Sequence, residues 1–152
     1  MEDANPISTP MDSNISLEPN NEKGEMNCSN AYASLIGSLQ YLATTTCLDI
    51  TYAVNRLVAY TMNPSFTYYG IAKHVLRYIK STQNYGITYH THSTQHVGPT
   101  NSNIFYSFSD AAYANADDRR SISGYVYSSN GGAITWRLKK QTSIALSLTK
   151  AE

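Results

Sequence analysis

The stretch Asn130-Gly131-Gly132 constrains this chain more than any other. Asn-Gly is the favoured pair for a two-residue hairpin loop, because both central residues of a type I′ turn need positive φ. Ser123-Gly-Tyr-Val-Tyr-Ser128 precedes it and Ala133-Ile-Thr-Trp-Arg-Leu138 follows, and both read as strands. Upstream, Asn103 to Asn115 opens on a tight alternation, with Ile104, Tyr106 and Phe108 on one face and Phe105 and Ser107 on the other. Residues 104–138 are therefore predicted to form a three-stranded antiparallel meander. The first strand delivers a lone acid, Asp110, at its end. Asp is depleted in strands, so an isolated carboxylate there is a candidate metal ligand or catalytic group. The plainer reading is an Asp that starts the following turn.

Ahead of the meander the apolar period changes from two to that of a helix. Tyr32, Leu35, Ile36, Leu39 and Leu42 predict a first helix over 31–46, which Ser29 or Asn30 can cap. Gly37 and Ser38 weaken it by propensity and offer a close-packing spot. Asp49 reads as the N-cap of a second helix over 50–62, with Ile50, Ala53, Val54, Leu57 and Val58 on one stripe. Asn63-Pro64 ends that helix. Ser65 can cap a third, over 66–81, with Ala72, Val75, Leu76 and Ile79 apolar. Lys73, Arg77 and Lys80 form a narrow basic arc on it, able to track a phosphate backbone or to be simply solvated. His74 beside them reads as a surface histidine. The alternation through 84–90 predicts a short strand, and 91–103 reads as a linker. His90, His92 and His96 lack a Cys or acid partner, so a metal site there is not favoured.

Charge is unevenly spread. Residues 1–30 carry six acids against Lys23, whereas 31–152 carry ten Lys and Arg against five acids. The basic body could meet a polyanion. The first thirty residues nearly lack large apolar groups, with Ile7, Ile15 and Leu17 standing alone, and read as a disordered acidic leader. Two cysteines outside any CxxC or zinc spacing suggest an intracellular, reducing setting, cytoplasmic or nuclear. The N-terminus has no secretory pattern and no apolar run approaches membrane-spanning length, so no membrane partner is expected. Nothing in the sequence fixes an oligomeric state.

Several motifs occur together in one order. Tyr32-Ala-Ser-Leu-Ile-Gly-Ser-Leu-Gln-Tyr-Leu-Ala43, Asp49-Ile-Thr-Tyr-Ala-Val54, Ala72-Lys-His-Val-Leu-Arg-Tyr-Ile-Lys80 and Tyr85-Gly-Ile-Thr-Tyr89 resemble the end of the reverse transcriptase region of copia-type (Pseudoviridae) LTR-retrotransposon Pol polyproteins. Phe108-Ser-Asp-Ala-Ala-Tyr-Ala-Asn115, Asp118-Arg-Arg-Ser-Ile-Ser-Gly-Tyr-Val126, Trp136, Lys139-Lys-Gln141 and Ala145-Leu-Ser-Leu-Thr-Lys-Ala-Glu152 resemble the opening of the ribonuclease H domain that follows it. The chain departs from the family's pattern at Cys47-Leu48, at Ala112-Tyr113 and at Lys150.

The resemblance implies an α+β chain: distal reverse transcriptase (thumb/connection-like) helices and a short strand over 31–90, the linker, then an incomplete ribonuclease H-like domain over 104–152. That domain would hold the meander and the start of a helix capped by Ser147 or Thr149. The family's first catalytic Asp maps onto Asp110 and its helix Glu onto Glu152, both as ligands of Mg2+. Its further acids fall outside these residues. The implied activity is metal-dependent cleavage of RNA in an RNA/DNA hybrid. Two carboxylates make a poor binuclear site, so this chain is expected to be an inactive piece of a longer protein. The rival readings are a non-catalytic nucleic-acid-binding remnant, using Lys73, Arg77, Lys80, Arg119 and Arg120, and a pseudogene product without function. The adjacent Asp117-Asp118 reads as a solvated pair in a charged turn, beside Arg119-Arg120.

Overall fold

The computed structural model describes residues 5–12, 15, 17, 29–90, 105–113 and 119–151. The linker 91–103 with His92 and His96, the pair Asp117-Asp118 and Glu152 lie outside them. The chain is α+β and divides into two units, residues 1–85 and 86–152.

The first unit is helical. Helix α1 spans Ser29–Thr45, α2 spans Thr51–Val58 after a 3-10 turn at Leu48–Ile50, and α3 spans Phe66–Ser81. Their apolar stripes meet as the spacing predicts: Tyr32, Ile36, Leu39, Ala53, Val54, Leu57, Ala72 and Val75 are all buried in one cluster. Ser65 caps α3, its hydroxyl accepting from the Tyr68 amide at 3.3 Å. Tyrosines bind the helices to one another. Tyr32 is fully buried and its hydroxyl donates to the Leu57 carbonyl at 2.9 Å, joining α1 to α2. Tyr60 stacks on Tyr68 with ring centroids 4.4 Å apart. Burial holds the Tyr32 phenol well above its usual pKa, with Tyr68 and Tyr60 adding to the shift.

Several expectations are corrected. Asp49 does not cap α2, whose N-cap is Ile50 without a side-chain bond. Its carboxylate instead accepts from the Tyr78 hydroxyl at 2.6 Å, tying the 3-10 turn to α3. That hydrogen bond, with burial next, pushes the Tyr78 phenol from 10.0 up to about 12. Helix α2 stops at Val58 because the following amides tighten: Tyr60 donates to Leu57 and Thr61 to Val58, in i to i−3 steps. Gly37 offers no close approach, since a Cβ there would face open space. The described part of the leader is not free. Leu17 is 1% exposed in the helical core, and Met11 and Ile15 pack against that core. Side chains of α3 and of the turn after α2 satisfy the leader's carbonyls: Tyr60 donates to Leu17 at 2.7 Å, His74 Nε2 to Thr9 at 3.0 Å, and Ser81 to Ile7 at 2.6 Å. A polar stretch can be held by few apolar anchors when its carbonyls find donors.

The second unit is the meander: β1 at Tyr106–Ala112, β2 at Ile122–Ser129, β3 at Gly132–Lys140, then a short α4 at Leu148–Ala151. The sheet is antiparallel throughout, in the order β1-β2-β3. Asn130 has φ 52° and Gly131 φ 82°, the type I′ geometry that Asn-Gly favours. A register shift at Tyr127/Ser128 marks a bulge beside this turn. The strand predicted over 84–90 does not form. Its residues fasten onto the hairpin instead: the His90 amide donates to the Asn130 carbonyl at 2.9 Å, and the Tyr89 hydroxyl to that of Ala133 at 2.6 Å. A Cβ on Gly132 would come within 2.7 Å of the Tyr89 ring, so this seat requires glycine.

Two outcomes are expected for the first unit. Leu17→Ala should lower stability by about 2–5 kcal/mol, measured by urea denaturation of the full chain. A free leader would show no loss. The raised Tyr78 phenol stabilises the fold fully below pH 10.0, and that contribution is lost as pH climbs toward about 12. Melting temperature should fall across this window, and Tyr78→Phe should flatten the fall.

Candidate functional site

Strand β1 carries Asp110 inside the ladder rather than at its end, since pairing runs on to Ala112. Asp110 lies opposite Gly124, and Gly124 lies opposite Leu138. Alternation puts Tyr106, Phe108 and Asp110 on one face, and the Tyr106 and Phe108 rings meet edge to face at 5.5 Å. The Gly124 position leaves no cross-strand side chain beside the carboxylate. A Cβ there would already press Leu138 Cδ1 at 3.0 Å. The Asp110 carboxylate is exposed, and its Oδ1 accepts from the Ala111 amide at 2.8 Å.

Gln141 organises the same end of the sheet. Its Nε2 donates to Ser123 Oγ and to the Ala151 carbonyl, each at 2.6 Å, while its backbone amide donates to the Ser121 carbonyl at 2.8 Å. Ser123 is the β2 partner of Ala111, the residue after Asp110. A short path of bonds thus runs from the neighbour of Asp110 to α4, whose Ala151 is buried. Sequence reasoning met Gln141 only as part of a motif and missed this bracket. Glu152, the other expected ligand, lies outside the described residues. Among the described residues no three His, Cys, Asp or Glu side chains come together as a metal site. Asp110 by itself does not fit a magnesium pair, which needs several carboxylate oxygens.

The basic residues fall into two groups in different units. Lys73, Arg77 and Lys80 follow one another by four and three residues along α3 and share a face. Lys73 is exposed with its Nζ 4.4 Å from the Tyr69 ring centroid, a cation–π contact. Arg77 and Lys80 are half-buried. Arg119 and Arg120 are exposed ahead of β2, and Arg119 takes φ 59°. No described helix is long and apolar enough to cross a membrane.

The sequence has clear relatives. It is 38% identical over 122 residues to Secreted RxLR effector protein 161 of Plasmopara viticola, covering 80% of each chain. It is 33% identical over 159 residues to the Retrovirus-related Pol polyprotein from transposon TNT 1-94 of Nicotiana tabacum, covering 100% of this chain and 11% of that protein. The Pol polyprotein from transposon RE2 of Arabidopsis thaliana is 34% identical over 150 residues, 98% of this chain and 10% of that protein. The chain thus spans about a tenth of the length of the Pol polyproteins it matches. No protein-family model matches it, and no solved structure does.

Removing the bracket should be visible directly. In Gln141→Ala, amide hydrogen exchange over 148–151 should accelerate while the β2–β3 ladder keeps its protection. Unchanged exchange in α4 would show that the bracket holds nothing.

Proposed function

Because the chain belongs to the family of Secreted RxLR effector protein 161 and also matches retrovirus-related Pol polyproteins of plant transposons along its length, we propose that it derives from the junction of reverse transcriptase and ribonuclease H in a copia-type Pol protein. On this reading residues 31–90 descend from the distal reverse transcriptase helices, and 104–152 from the opening of the ribonuclease H domain. The observation that carries it is the placement of Asp110. The acid sits on the first strand of an antiparallel meander, and Gln141 draws the residue before Glu152 back to that meander. An acid on the first strand and another on the following helix are what a ribonuclease H site requires of this part of the chain.

Asp110 and Glu152 are then the chain's own ligands for Mg2+, in a parent activity that cleaves RNA paired with DNA. Two carboxylates do not neutralise two hard cations, so the 152-residue polypeptide is expected to lack turnover. A second reading has support in the basic face of α3 and in the exposed Arg119 and Arg120: nucleic acid held without being cut. Shared ancestry with a secreted effector does not favour it over the first, because the Pol matches run the length of the chain.

Purified chain should be incubated with magnesium and a labelled RNA/DNA hybrid. No cleavage above background is expected, with salt-sensitive binding as the residual activity. Cleavage that disappears in Asp110→Asn would overturn the inactive assignment.

A further inference from the structure

Two carbonyls of the N-terminal segment are held by one stripe of α3. His74 Nε2 donates to Thr9 at 3.0 Å, and the single Ser81 hydroxyl proton is shared between Ile7 at 2.6 Å and the Tyr78 carbonyl at 2.7 Å. Positions 74 and 81 lie two turns apart on one helix face, about 10 Å along its axis. Arg77 falls between them on the same stripe, three residues from one anchor and four from the other. The two anchors therefore flank Arg77, the centre of the basic arc, on the same helix. Further along, Met11 and Ile15 pack on the core and Leu17 is buried in it, with its carbonyl held by Tyr60.

We propose that the segment around Ile7–Thr9 is an intramolecular occupant of a nucleic-acid-binding face on α3, and that an RNA/DNA hybrid competes with it for Arg77. This rests on the nucleic-acid-binding reading above. Charge fits the role: α3 carries Lys73, Arg77 and Lys80 with no acid, whereas Ile7-Ser8-Thr9 is uncharged. A neutral strap covers the basic face without neutralising it, so a polyanion is still drawn there. The attachment is also of the right strength to yield. The strap is fastened over the basic face by hydrogen bonds to main-chain carbonyls, each of modest net value in water. The buried anchor at Leu17 lets its outer part lift without opening the core. Lys73, exposed at one end of the arc, offers a first foothold for phosphate.

Binding of a fluorescently labelled RNA/DNA hybrid should be followed by anisotropy at low salt, using the full chain. His74→Ala/Ser81→Ala should bind about three- to tenfold more tightly than the unmodified chain, because the two fastening bonds are gone. Lys73→Glu/Arg77→Glu should lose binding. Tighter binding on removal of a histidine cannot be a charge effect, which would run the other way. As a check independent of variant folding, the backbone NMR chemical shifts of 7–9 in the unmodified chain should move to random-coil values at saturating hybrid. Unchanged shifts there, with binding still lost in Lys73→Glu/Arg77→Glu, would overturn the strap and leave the nucleic-acid reading intact. Absence of binding by every form would overturn both.

Discussion

A phenol can be buried only if its hydroxyl finds an acceptor, and the helical unit is built on that requirement. Tyr32 fills the centre of the α1–α2 contact and spends its proton on the Leu57 carbonyl. Tyr78 does the same for α3, using the Asp49 carboxylate. Tyr60 reaches the Leu17 carbonyl and fixes the leader. Each bond joins segments far apart in sequence, so each chooses one packing of the helices among those that apolar stripes alone would allow. With 13 tyrosines against three Phe and one Trp, the chain relies on aromatic residues that carry direction as well as bulk.

In the second unit the corresponding constraint is the two-residue turn. Asn130 and Gly131 set the β2–β3 register, and the bulge at Tyr127/Ser128 shifts it by one residue before Gly124 meets Leu138. The separate β1–β2 pairing places Asp110 opposite Gly124. A slip of one residue in either pairing would move a strand's side chains to the opposite face. The row of Asp110, Gly124 and Leu138 thus depends on both registers.

The parts legible in the sequence are those with a local cause. The Asn-Gly turn, the alternating strands, the helical stripes and the Ser65 cap all depend on residues a few positions apart, and the structure shows each. What escaped depends on distant partners. Asp49 was read as a cap because Asp favours caps, yet its partner is Tyr78 on another helix. Residues 85–90 alternate like a strand, but Tyr89 finds a glycine on the hairpin and takes a seat there. Leu17 looked isolated in a polar stretch because the pocket that receives it is made by three later helices. At the candidate site, the face of Asp110 follows from period-two alternation, whereas its neighbours Gly124 and Leu138 depend on the strand registers. The Gln141 bracket was not legible, since nothing local announces that one amide will serve both Ser123 and Ala151.

The strap on α3 also bears on how the chain is made. Its bonds span 65 and 74 residues, whereas the meander closes through strands joined in succession. Long loops cost more entropy to close than short ones, and contacts of long sequence separation form late. Ile7 and Thr9 are made before His74 and Ser81 exist to receive them. The strap therefore waits, already synthesised, for the helix that seats it.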